Sequence, residues 1–127
     1  MNRVLFSKTT DEWSTLADVY AALHEEFRFV DDPCPISGNG NSGLMREWKS
    51  PCFVNPPYSD IRSWIEKAML EHKAGKIVVL LVPSRTDTRW WHDCAMQASE
   101  IRFVRGRLKF GGAKNGAPFP SAVVIFR

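Results

Sequence analysis

Six consecutive aliphatic residues, Ile77 to Val82, constrain this chain most. A run of that length without polar alternation fits a central strand covered on both faces. Pro83 follows and has no N–H with which to continue a ladder. Gly75, just upstream, stands at the usual C′ position of a helix. That helix opens at Asp60 and places Ile61, Trp64, Ile65, Ala68 and Met69 inward at helical spacing. A second buried run, Ala122-Val123-Val124-Ile125-Phe126, predicts a last strand, and Pro51-Cys52-Phe53-Val54 predicts a shorter one.

Helices fill the intervals. Thr15 and Asp18 have the spacing of a capping box, and Leu16, Val19, Tyr20, Leu23 and Phe27 then share one face. Phe29-Val30 reads as a short strand ending at Asp31-Asp32-Pro33. The segment from Ser37 to Gly43 is too rich in glycine and polar residues for regular structure, and Trp48 is expected to pack back onto the domain. After Ser84-Arg85-Thr86-Asp87-Thr88 a third helix buries Trp91, Cys94, Ala95 and Ala98. Ile101 to Phe110 alternates loosely, with a bend at Gly106. The order is helix, strand, strand, helix, strand, helix, one or more strands, strand. It predicts an α/β fold: a single three-layer domain over residues 1–127, with a reduced, mostly parallel sheet and helices on both faces. At 127 residues there is room for one core.

Several classes are not expected. The chain has no apolar run of eighteen residues and no signal-peptide pattern at its start, so a cytoplasmic protein with no membrane contact is expected. Cys34, Cys52 and Cys94 lack C-x-x-C spacing and read as reduced, mostly buried thiols. His24, His72 and His92 lack ligand spacing, so no metal is expected.

The chemistry is concentrated at Asn55-Pro56-Pro57-Tyr58, a stiff polar turn between a predicted strand and a predicted helix. Ligands of open α/β sheets bind at such carboxyl ends. The Asn55 side-chain oxygen and the Pro56 carbonyl are both acceptors. Two convergent acceptors beside an exposed ring would hold a planar –NH2 group. The plainer alternative is a rigid connection, with proline setting the turn.

The net charge is only +3, but Arg102, Arg105, Arg107, Lys109 and Lys114 fall in one stretch without an acidic residue. Phe103, Phe110 and glycines are interleaved, as suits a backbone approaching phosphates. A solvated strand face is the alternative. Trp90, adjacent to Trp91, cannot face the same core. It is left for a base, another partner or a second copy in a homodimer.

The Asn-Pro-Pro-Tyr turn resembles the N/D-P-P-Y/F/W motif of methyltransferases that modify exocyclic or amide nitrogen. Longer stretches resemble the phage-type DNA N-6-adenine methyltransferase (Dam-like) family. They are Asp11-Glu12-Trp13-Ser14-Thr15, Asp32-Pro33-Cys34, Phe53 to Ser59, Val82 to His92, Ile101 to Phe110, and Ala117-Pro118-Phe119-Pro120-Ser121. The block from Val82 to His92 is far more specific than the tetrapeptide. The resemblance implies a Rossmann-like methyltransferase fold, S-adenosylmethionine as donor and adenine in DNA as acceptor. It also implies a phage or prophage protein at work in a bacterial host cell. Leu16 stands where many relatives carry proline. The glycine-rich turn of larger methyltransferases is missing, and so is a separate target-recognition domain.

On that reading Asn55, Pro56, Pro57 and Tyr58 are catalytic. Tyr58 would stack on an adenine flipped out of double-stranded DNA. Trp13, Thr15, Asp31, Asp32, Pro33 and Asn55 are the cofactor candidates. Thr15 reads equally as a helix N-cap, and the aspartates as an Asx turn before Pro33. Tyr58, Ser59, Arg85, Thr86, Arg105, Arg107 and Lys109 are the DNA candidates, with an Arg85–Asp87 ion pair as the alternative for Arg85. Two rivals fit the same residues: a methyltransferase acting on protein glutamine or RNA, and a non-catalytic DNA-binding or interaction module of the same fold.

Overall fold

The computed structural model describes residues 15–35, 42–109 and 119–127. Helix α1 (Leu16–Phe27) starts at the predicted capping box. The Thr15 hydroxyl accepts from the Asp18 amide, and the Asp18 carboxylate accepts from the Thr15 amide. It ends at Arg28, whose left-handed backbone (φ 57°) closes the last turn. Strand β1 (Cys52–Val54) leads through the proline turn into α2 (Ile61–Lys73). Strand β2 (Val78–Pro83), α3 (Arg89–Asp93), β3 (Glu100–Phe103) and β4 (Ser121–Phe126) follow.

The sheet order is β1-β2-β4-β3. β1 pairs with β2 in parallel, with Val54 beside Leu80. β4 lies antiparallel to both of its neighbours, with Val124 beside Leu80 on one side and Ile101 on the other. The sheet is therefore mixed, which corrects the expectation of a mostly parallel one. A run buried on both faces suggests a parallel strand, but it carries no direction. β4 is such a run, inserted antiparallel between β2 and β3, and every residue in it is buried.

Alternate residues of β2 point into two cores. Val78, Leu80 and Val82 join Trp64, Ile65 and Ala68 of α2 and Trp91 of α3. Val79 and Leu81 join Val19 and Leu23 of α1, with Phe29 and Phe53. Trp48 is buried, as expected, and stacks on Trp64 at 6.2 Å. Its indole N–H donates to the Gly43 carbonyl at 2.7 Å. Cys52 and Cys94 are buried and Cys34 half-buried, all as free thiols.

Three local expectations are corrected. Phe29-Val30 is not a strand. The extended chain there meets β1 only through the Asp31–Cys52 bridge and neighbouring hydrogen bonds. β3 ends at Phe103 rather than running on to 110, because Gly106 turns the chain with φ at 72°. α3 is barely more than one turn; Cys94 caps its end, and Ala95 opens a separate 3-10 turn, Ala95–Gln97. Among the described residues no helix is long and apolar enough to cross a membrane.

Candidate active site

The chain leaves β1 at Asn55 and reaches α2 through one 3-10 turn, Tyr58–Asp60. Pro56 is buried, and the Pro57 carbonyl accepts from the Asp60 amide at 3.1 Å, so the turn is held from both ends. Asp60 does not cap α2 with its side chain, contrary to expectation; its carboxylate accepts from the Ser63 hydroxyl at 2.7 Å. The half-buried Asn55 side chain has no hydrogen-bond partner among the described residues. An amide so placed keeps its carbonyl oxygen for a ligand.

Asn55 also lines a cavity of about 490 Å³ at this end of the sheet. Leu16, Tyr20 and Phe53 give it an apolar wall, while Thr15, Asp32, Asn55 and Lys109 supply polar groups. Tyr20 meets Phe53 edge-on at 5.1 Å, which fixes that wall. Thr15 sits there as the N-cap of α1, so its hydroxyl is already an acceptor for the Asp18 amide. The Lys109 carbonyl accepts from the Leu16 amide at 3.1 Å and ties the chain after β3 to the start of α1.

The two aspartates differ sharply. Asp31 receives both terminal nitrogens of Arg46, each at 2.8 Å, and the Lys49 amide at 2.9 Å. The Arg46 hydrogen bonds hold its carboxyl below the usual range, against some desolvation. It is committed to the protein and does not line the cavity. Asp32 lines it. Although Asp32 is exposed at the rim, partial desolvation pushes its carboxyl pKa up. A hydrogen bond from the Cys34 amide opposes this, and the neighbouring Asp31 charge adds to it. That Cys34 bond is the Asx turn anticipated as the alternative, so Asp32 both shapes the turn and faces the cavity. Pro33 is buried behind them. A Cβ on Gly43 would collide with the Pro33 carbonyl oxygen and the Trp64 ring, so only glycine lets this segment seat so deeply.

A second group lies past the ends of β1 and β2. Tyr58 is half-exposed and meets the buried Phe119 ring edge-on, with centroids 4.8 Å apart and planes at 83°. Arg85 lies over the same Phe119 ring, its guanidinium carbon 5.5 Å from the centroid. Ser59 and Thr86 are exposed nearby in sequence, and the Thr86 carbonyl accepts from His92 Nε2 at 2.6 Å. Arg85 forms no ion pair with Asp87.

The basic stretch divides. Arg105 and Arg107 are exposed on either side of Gly106. Lys109 belongs to the cavity wall. Arg102 is corrected outright, for it is buried and forks onto Glu26 at 2.7 and 2.8 Å and onto Glu100 at 2.8 Å. In a strand, neighbours alternate faces, and position 102 falls on the inward one. Trp90 is half-buried against the core rather than exposed. Trp13, Phe110 and Lys114 lie outside the described residues.

Sequence reading missed Tyr20, Phe53, Leu16, Ala17 and Cys34 as cavity residues, and Phe119 as a neighbour of Tyr58. Tyr20 and Phe53 carry ordinary core signals. Cys34 and Phe119 had one usable signal, their places in Asp32-Pro33-Cys34 and in Ala117-Pro118-Phe119-Pro120-Ser121.

Comparison with known proteins adds two findings. The family described as DNA N-6-adenine-methyltransferase (Dam) matches residues 4–126. A DNA N-6-adenine-methyltransferase of Haemophilus phage HP1 is 27% identical over 120 residues, covering 84% of this chain and 69% of its own. No solved structure matches.

Proposed function

The chain belongs to the DNA N-6-adenine-methyltransferase (Dam) family, and we propose that it methylates adenine in DNA at the Asn55–Tyr58 turn, with S-adenosylmethionine in the adjoining cavity. It is a DNA adenine methyltransferase by family and by its phage relative. The fold is read as a reduced Rossmann-like one. The protein is read as phage or prophage encoded and active in the cytoplasm of a bacterial host.

One observation carries the assignment of the site. Asn55 stands in the acceptor turn and in the cavity wall at once, with Asp32 in the same wall. The cavity has the volume of small-ligand sites, roughly 300–1,000 Å³, and its mix of aromatic wall and few polar groups suits a nucleoside. When bound, S-adenosylmethionine supplies a methyl group already activated by a sulfonium. The residues are thus left to position and polarise the amine. Adenine N6 is a weak nucleophile because its lone pair is delocalised into the ring. Asn55 Oδ1 and the Pro56 carbonyl accept its two N–H bonds, which frees the lone pair and stabilises positive charge developing on nitrogen. Tyr58 stacks on the base, which must leave the duplex to reach it. Asp32 accepts from the cofactor's ribose hydroxyls or its ammonium group.

The test is transfer of labelled methyl from S-adenosylmethionine to duplex DNA, with protein and RNA as competing acceptors. Label recovered as N6-methyladenine in DNA is the expected result. Label in protein or RNA alone, or no cofactor binding by calorimetry, overturns the reading.

Arg105 and Arg107 are assigned to the DNA backbone. Replacing both with Gln should weaken DNA binding uniformly across sequences. It should also shallow the log-affinity versus log-salt slope by roughly one unit per lost phosphate contact. An unchanged slope makes them a solvated turn.

A further inference from the structure

Pro83 of β2 pairs with Ser121 of β4, and the Ser84 amide donates to the Pro120 carbonyl at 2.8 Å. The pairing thus runs on past the strand ends and sets Arg85 opposite Phe119. On the other side of β2, the parallel partner β1 runs out into Asn55, Pro56, Pro57 and Tyr58. One buried ring, Phe119, therefore touches two exposed groups from different segments: the Tyr58 ring edge-on and the Arg85 guanidinium face-on. Nothing in the chemistry of methyl transfer needs an aromatic residue at the entry to β4. A leucine would fill the space as well but would give neither contact.

We propose that Phe119 is a positioning residue that couples Tyr58 to Arg85, so that the ring stacking on the flipped base and a cation for the adjoining phosphate act as one clamp. The inference rests on the assignment of Tyr58 to the base. Edge-to-face contact holds the Tyr58 ring at a fixed tilt, so the stacking surface is set before DNA arrives. The face of Phe119 holds the Arg85 guanidinium without consuming its N–H donors, which stay available for a phosphate. Ordering both groups in the free protein removes part of the entropy loss on binding.

The test is a double-substitution cycle with Phe119→Leu and Tyr58→Ala, read as kcat and KM for DNA, cofactor affinity and melting temperature. Phe119→Leu should lower kcat/KM for DNA by about 5- to 10-fold, the worth of one aromatic pair with a cation–π contact. Cofactor affinity should stay unchanged. In the Tyr58→Ala background the same change should have less than half that effect, since the ring it positions is gone. A purely structural role would multiply the two losses and move the melting temperature and cofactor affinity as well; that result overturns the proposal. So does a Phe119→Leu enzyme within 2-fold of wild type. If the wild-type chain binds DNA but methylates no adenine, the reading of the reaction fails by itself. The same cycle on DNA affinity then decides the coupling.

Discussion

Replacing Asn55 with alanine is expected to abolish methyl transfer while leaving the protein folded. The half-buried side chain lines the cavity, directly after β1, with no hydrogen-bond partner among the described residues. Its removal therefore orphans no buried group there, and the neighbouring prolines still set the turn. On the proposed reading, what is lost is one of the two acceptors that hold the reacting amine. An aligned polar group at a reacting centre is typically worth ~100-fold or more in rate. The proper measurement is a single-turnover rate at saturating cofactor and DNA, beside a melting curve. A rate within a few-fold of wild type, at equal stability, would remove Asn55 from the chemistry. Asn55→Asp separates the two parts of the role. It keeps an oxygen at that position but adds charge, so partial activity is expected where alanine shows none.

The elements that position this turn were legible because their signals are local. Ile77 to Val82 fits a central buried strand, observed one residue later as Val78–Pro83 with Pro83 still paired, and Thr15 with Asp18 marked the start of α1 by a capping box that the structure forms. Strand direction was not legible. Burial on both faces is the same for β2 and β4, and nothing in Val123-Val124-Ile125 says that it runs antiparallel to Val79-Leu80-Leu81. Charge was only partly legible. The run from Arg102 to Lys109 looks uniform in sequence, yet the structure splits it three ways. Arg102 is spent on Glu26 and Glu100, Lys109 turns to the cavity, and Arg105 and Arg107 remain exposed at a glycine turn. Glu26 is 76 positions from Arg102, a separation no local pattern reveals. Likewise Phe119 acquires its meaning only where β4 pairs with β2.

The pair Asp31-Asp32 shows the same limit, and it yields the second large effect. Adjacent in sequence, the two residues were equal candidates for the cofactor, and the fold separates them. Asp32→Asn is expected to weaken S-adenosylmethionine binding by about 10- to 100-fold, the worth of hydrogen bonds to a charged group. Asp31→Asn should change cofactor affinity little and instead loosen the Arg46 and Lys49 contacts. The pH dependence distinguishes them further. Asp32 has a raised carboxyl pKa, chiefly through desolvation, so affinity should fall as pH drops through a value above that of an ordinary aspartate. In Asp32→Asn that limb should vanish. Stability of the empty protein responds with the opposite sign. A raised folded-state pKa means the fold disfavours the ionised carboxyl. The Asp32 contribution is therefore best below its unfolded value and declines as pH rises through the folded one. Asp31, with a lowered pKa, stabilises above its unfolded value and loses that contribution as pH falls through the folded one. Calorimetric titration of both variants across the acidic range reads the two limbs. If Asp31→Asn removes the binding limb and Asp32→Asn leaves it intact, the cofactor sits against the other aspartate. The Arg46 pair would then have to open on binding.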